Sequence, residues 1–333
     1  MGDSNLQEQG KPKEVAQGIY HIKVPTPFAV GPVNIYLLEG DALTLVDVGP
    51  LTEEAWKALV QGIEQIGYHV TDLKQIVLTH HHVDHSGLLE RIRQTSGAKI
   101  LAHPLAVPYV EWNEEFRNDH RRFFVELYRE SGVPEQSLSI IEKHHKRMLE
   151  FSEPSQIDRI VRHEQVLPGL PEWQVLYTPG HAQDHLSLYR VKDHIMIAGD
   201  HIIKNISSNA FIEPPQGHLQ NRPFTLVQYR TALEMCADME IDVIFSGHGA
   251  PITNHRELIL ERLKRNWGRT DTLRRLLQDG EKTAYELSAL LFPTKYQKEL
   301  PLTLSETLGH IDLLNLLHQL NVRKKDNVLY YSV

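Results

Sequence analysis

Thr79-His80-His81-His82-Val83-Asp84-His85 places four candidate metal ligands, His80, His82, Asp84 and His85, within six residues. The apolar run before it, residues 73–78, predicts a buried strand, and residues 86–92 predict the start of a helix. Alternate side chains of an extended segment share a face, so His80, His82 and Asp84 can point the same way. His85 follows as the chain turns. Imidazole together with carboxylate suits zinc and also holds iron or manganese. Read alone, the stretch leaves two other readings open. Asp84 could cap a helix beginning at His85, or the histidines could form a solvated surface run.

Three later runs extend the pattern. They end in Thr178-Pro179-Gly180-His181, in Ala198-Gly199-Asp200-His201 and in Ser246-Gly247-His248-Gly249, each preceded by a short apolar, β-rich stretch. Glycine lets the backbone turn sharply and approach a ligand closely. One ion cannot comfortably use all of these groups, so the set predicts two.

In that order, His80, His82, Asp84, His85, His181, Asp200 and His248 resemble the metallo-β-lactamase-fold hydrolase superfamily, over roughly residues 15–255. Among its branches they look most like the glyoxalase II-type zinc hydrolases. The resemblance implies an α+β fold, a four-layer αββα sandwich. It implies two divalent metal ions, Zn2+ first, with Fe or Mn as alternatives. His80, His82 and His181 would hold one ion and Asp84, His85 and His248 the other, with Asp200 bridging them. Asp47, after the strand-like residues 44–46, would orient a ligand histidine, as metal-bound imidazoles usually require. His82 stands where the flavodiiron-type redox branch carries a carboxylate, which points to hydrolysis.

A water shared by two such ions becomes hydroxide near neutrality, since zinc alone lowers its pKa from about 15.7 to about 7. The expectation is attack by a metal-bridging hydroxide, oriented by Asp84, on a small ester, thioester or related acyl substrate. The alternative is a metal-dependent nuclease or phosphodiesterase acting on RNA or another phosphodiester. A purely structural zinc site would be closed and rich in cysteine, and the chain has one cysteine.

The other histidines are discounted. His81, His185 and His201 flank the motifs and are read as supporting or packed residues. His21, His69, His103, His120, His144, His145 and His163 are read as surface or packing residues. Asn209, Arg222 and His218 are candidate substrate contacts in the polar segment 205–224. Cys236, in a helical run, is read as packed.

With 333 residues, 41% hydrophobic and 23% charged, the chain describes a globular protein large enough for one big domain and a small one. A net charge of -8 argues against wholesale nucleic-acid binding. No run of ~18 apolar residues predicts a membrane span. Residues 1–14 read as a disordered polar tail without a signal-peptide core, and the expected location is the cytoplasm. Residues 105–155 are charged, aromatic and helical in spacing, a helical insertion read as a lid over the site, as packing elsewhere or as a dimer contact. Residues 257–333 predict three helices and a hairpin turning at Asp326-Asn327, a winged-helix-like C-terminal domain. A structural or homodimer role is favoured for it over nucleic-acid contact.

Overall fold

The computed structural model describes residues 12–216 and 221–333. Seven strands form one sheet in sequence order: β1 (Lys13–Ala16), β2 (Ile19–Val24), β3 (Val33–Leu38), β4 (Thr44–Val46), β5 (Gln75–Val77), β6 (Lys99–Ala102) and β7 (Arg159–Ile160). β1 to β4 pair antiparallel, and β4 to β7 pair parallel. Five more form a second sheet: β8 (Val166–Leu167), β9 (Leu170–Tyr177), β10 (Leu186–Arg190), β11 (Ile195–Gly199) and β12 (Val243–Ser246), in the order β12-β11-β10-β9-β8.

The two-residue period of a strand explains the layering. Ile35, Leu37, Leu45, Ile76 and Ile100 pack in one cluster with Leu59 and Ile63 of α1 (Glu53–Ile66) and Ile92 of α3 (Leu89–Ser96). Their neighbours Tyr36, Leu38, Val46, Val77 and Leu101 face the second sheet, against Trp173, Val175, Leu186, Leu188 and Ile197. On the far face of that sheet, Leu176, Tyr189, Met196 and Ala198 meet Leu226 and Leu233 of α7 (Thr225–Asp238) and Ile259 of α8 (His255–Gln278). The result is the expected α+β fold, helix, sheet, sheet, helix. α1 is closed at both ends: the Thr52 side chain accepts the Ala55 N–H, and Gly67 ends the helix at φ 106°.

Between β5 and α3 lies the short helix α2 (Val83–Ser86), preceded by His82. It begins two residues earlier than the helix that Asp84 was a candidate to cap. Asp84 therefore sits inside the first turn, and the capping reading falls.

The insertion holds α4 (Val107–Val110), α5 (Glu114–Glu130) and α6 (Glu135–Leu149). Phe123, Phe124, Leu127, Leu138 and Ile141 pack against a cluster that joins Tyr128 and Val133 of the insertion to Leu273, Leu304 and Leu308 of the C-terminal helices. The insertion thus shares a core with the C-terminal segment, and it reaches the site through α4 and the start of α5. That segment consists of α8, α9 (Ala284–Leu291), α10 (Leu300–Leu316) and the hairpin β13 (Asn321–Lys325) and β14 (Val328–Ser332). Asp326 and Asn327 turn the hairpin at φ 49° and 63°, as a two-residue loop demands. Every residue of α10 from Thr303 to Leu314 is buried, between α7, α8 and α9.

Lys13 and Glu14, expected in the tail, pair instead with His21 and Tyr20. Residues 1–11 of the expected tail lie outside the described residues. Among the described residues, no helix is long and apolar enough to cross a membrane.

Candidate metal centre

Five of the candidate ligands come from loops that leave the C-terminal ends of four strands. His80 and His82 follow β5, His181 follows β9, Asp200 follows β11 and His248 follows β12. Strands fix where each loop starts, which is how residues far apart in sequence can converge. Asp84 and His85 lie on α2. Ligand atoms of His80, His82 and His181 lie within 4.8 Å of one another, as do those of His80, His85 and Asp200 and those of Asp84, His85 and His248. All seven residues expected as ligands are thus brought together.

Hydrogen bonds to the outer ring nitrogens fix which atom each histidine offers. His85 Nδ1 donates to Asp47 Oδ2 at 2.8 Å. His181 Nδ1 donates to the Asn209 carbonyl at 3.0 Å and His248 Nδ1 to the Pro32 carbonyl at 2.9 Å. Thr79 Oγ1 donates to Asp47 Oδ2, so it accepts from His80 Nδ1 at 3.0 Å. In each of these four rings the proton sits on Nδ1, and Nε2 presents a lone pair inward.

The inward atoms fit divalent metal. His82 Nδ1 lies 3.0 Å from His80 Nε2 and 3.1 Å from His181 Nε2. One proton on His82 could serve only one of these contacts. Nitrogens about 2.0–2.1 Å from a tetrahedral zinc stand about 3.3 Å apart, close to what is seen. Among the described residues, His85 Nε2, Asp200 Oδ1 and His248 Nε2 are buried and find no hydrogen-bond partner. Such groups are costly unless a partner arrives. Asp200 has its carboxylate 3.4 Å from His85 Nε2, 3.7 Å from His181 Nε2 and 3.6 Å from His248 Nε2. It therefore lies between the two groups of ligands.

Burial lowers the imidazoles of His80 and His82 well below the usual histidine range, and neighbouring imidazoles lower them further. Neutral rings are what a metal needs. Burial also works against charge on His85, yet the carboxylates of Asp200, Asp47 and Asp84 raise it well above the ordinary value. Burial would raise Asp84, but His85 and His248 leave it lowered. The His85 side thus lies in a negative field that attracts a cation.

The flanking histidines divide. His185 Nε2 accepts the Asp200 N–H at 3.1 Å, and its Nδ1 donates to Thr178 Oγ1 at 2.8 Å. It supports the backbone of a candidate ligand. His81 Nδ1 donates to Asp184 Oδ1 at 2.8 Å, and its ring stacks on Tyr109 at 3.7 Å. His201 is fully buried in contact with Tyr229. His21, His103 and His163 bond Asn34, Leu105 and Tyr177, away from the clusters. His218 and the side chains of His144 and His145 lie outside the described residues. Cys236 is packed, its thiol pushed up to about 12 by burial.

Of the candidate substrate contacts, Arg222 is instead bound through both terminal nitrogens to Asp312 of α10. Asn209 contributes its backbone carbonyl to His181. The sequence reading missed Thr79, Pro32, Tyr109, Phe211 and Asp184. The carbonyl of Pro32 has no signature in residue type. Asp184, three residues after His181, could have been flagged as an acid beside a ligand.

A family model described as "Metallo-beta-lactamase superfamily" matches residues 29–248. The probable metallo-hydrolase YqjP of Bacillus subtilis is 38% identical over 317 residues, 95% of this chain and 98% of that one. The probable metallo-hydrolase YflN of the same organism is 27% identical over 259 residues, 72% of this chain and 87% of that one. The crystal structure of the metallo-beta-lactamase family protein TTHA1429 from Thermus thermophilus superposes with a TM-score of 0.80 at 28% identity, covering 96% and 99% of the two chains.

Proposed function

The chain belongs to the metallo-beta-lactamase superfamily and is a metal-dependent hydrolase, and from that premise we propose that it cleaves a small ester, thioester or related acyl substrate at a centre of two zinc ions. The observation that carries the two-ion reading is the set of inward ligand atoms. Ligand atoms of His80, His82 and His181 lie within 4.8 Å of one another, and so do those of Asp84, His85 and His248, which supports a reading of one ion for each group. Asp200 faces both. Bound divalent ions would supply a Lewis acid for the carbonyl oxygen and acidify the attacking water.

The chain's own residues do the rest. Asp47, Thr79, Asn209 and Pro32 hold four rings with Nε2 aimed inward, so little reorganisation accompanies the reaction. Asp84 is the most open of the three carboxylates, its side chain 14% exposed against 9% for Asp200 and 3% for Asp47. We assign it a second task beyond ligation, orienting the attacking water and accepting its proton.

The test is metal analysis with a panel of thioester, lactone, nitrocefin and single-stranded RNA. Two zinc ions per chain and turnover of thioester or lactone are expected. Cleavage of RNA with no acyl turnover would overturn the acyl reading in favour of a nuclease. Asp84→Ala or Asp200→Ala with metal content and hydrolysis both intact would overturn the ligand assignment.

A further inference from the structure

We propose that the substrate's acyl group is uncharged and apolar, and that it packs against a wall made of Phe211 and the Tyr109–His81 stack. This rests on the acyl-hydrolase reading above and adds the chemistry of the substrate. Phe211 stands edge-on to two candidate ligands, 5.2 Å from the His82 ring and 5.5 Å from the His181 ring. His81 lies 5.0 Å from His82 and stacks flat on Tyr109, with 11° between the planes. Phe211, His81 and Tyr109 are each partly exposed, whereas His80, His85 and Asp200 beside them are buried. These rings are the accessible rim of the cluster.

The wall is held in place. Tyr109 Oη donates to Glu213 Oε2 at 2.9 Å, and Glu213 Oε1 accepts the Gln183 N–H at 2.8 Å. The Ile212 N–H donates to Ser305 Oγ of α10 at 3.3 Å. Phe211 is therefore carried on a segment tied at Ile212 and Glu213, and Tyr109 is tied to the same carboxylate. A rigid aromatic surface costs little entropy when a flat or branched group binds it.

Charge points the same way. Among the described residues, no lysine or arginine hydrogen-bonds, pairs or stacks with Phe211, Tyr109 or His81. Behind the wall lie two buried carboxylates, Asp184 at 1% and Glu213 at 4% exposure. A carboxylate or phosphate on the acyl group would find no lysine or arginine among these contacts, and the one imidazole of the wall, His81, is already paired with Asp184 at 2.8 Å. An apolar group gains roughly four-fold in affinity for each methylene buried.

The experiment uses the full chain loaded with zinc and matched S-methyl thioesters of acetate, phenylacetate and glutarate. Phenylacetyl is expected to exceed acetyl in kcat/KM by about 10-fold or more, with glutaryl the poorest. Phe211→Ala should collapse the phenylacetyl preference at unchanged metal content. A glutaryl preference, or an unchanged ratio in the variant, overturns the proposal. Calorimetric binding of the free carboxylates reads the wall without turnover. Phenylacetate binding tighter than acetate or glutarate, with the advantage lost in Phe211→Ala, supports the wall even if no thioester is cleaved, in which case the acyl-hydrolase reading alone falls. Equal binding of acetate and phenylacetate overturns the wall whatever is hydrolysed.

Discussion

The Asp47 carboxylate receives the His85 Nδ1–H at 2.8 Å while its own backbone sits in the left-handed region at φ 62°. The same carboxylate accepts the Thr79 N–H through Oδ1 and the Thr79 hydroxyl through Oδ2, each at 2.8 Å. One side chain thus orients His85 directly and His80 through Thr79. Aspartate is among the few residues that tolerate this backbone conformation. Asp47→Ala is expected to lower zinc affinity 10–100-fold, the usual cost of losing such an orienting partner. Competition with a chromophoric chelator measures it, and an affinity within two-fold of the parent chain would show that Asp47 does not position the ligands.

The bidentate Arg222–Asp312 pair joins the segment after Asp200 to α10. Burial holds the Asp312 carboxyl above the usual range despite the guanidinium. Arg222→Met leaves that carboxylate buried and alone, which costs about 3–5 kcal/mol. Adding Asp312→Leu should recover most of the loss, because the remaining buried charge is removed. Urea denaturation of the three chains tests this. Since α10 is enclosed by α7, α8 and α9, one cooperative transition is expected. A separate early transition of the C-terminal helices would show an independent module.

Much of the architecture was legible in the sequence because strand and turn chemistry is local. The run 73–78 marks β5, and Asp326-Asn327 marks the turn of the terminal hairpin. The convergence of the candidate ligands was legible because histidine and aspartate beside glycine at strand ends are rare by chance. The placement of the insertion was not. The apolar residues of α5 and α6 announce a buried face but not its partner, and the C-terminal helices that cover them are more than a hundred residues away. Arg222 likewise reads as a candidate contact until Asp312, 90 residues on, claims it. Asn209 and Pro32 act through carbonyls, which every residue has.

His103 gives a pH dependence separable from the metal centre. Its ring stacks on Tyr177 at 4.5 Å, and burial lowers it to about 4 despite the nearby Asp184. The unfolded chain binds the proton near pH 6.5, so between pH 6.5 and 4 the unfolded state holds more protons and stability rises with pH. The contribution is fully present above pH 6.5. It is lost as pH falls through the folded value, by on the order of 3 kcal/mol. His103→Phe keeps the stack and removes the titration. Its stability should fall less steeply than the parent's between pH 6.5 and 4, measured by denaturant midpoints at several pH values. Parallel profiles would rule His103 out as the titrating group.

Gly247 tests how tightly backbone and ligands are packed. A Cβ added there would stand 2.4 Å from Asp200 Oδ1 and 2.8 Å from His85 Cε1. The Gly247 backbone is pinned on both sides, since its N–H donates to the Gly199 carbonyl at 2.7 Å and its carbonyl accepts the Asn34 N–H at 2.7 Å. The strand end cannot retreat, so the carboxylate and the imidazole must. Gly247→Ala should therefore displace Asp200 and His85 while the sheets, whose apolar contacts lie elsewhere, stay formed. The expected outcome is a loss of zinc affinity of 10-fold or more, with the secondary structure unchanged by circular dichroism. Cobalt substitution adds a direct reading, because its visible spectrum reports ligand geometry. A variant whose zinc affinity and cobalt spectrum match the parent's would mean that Asp200 and His85 are not held at the centre in the arrangement described.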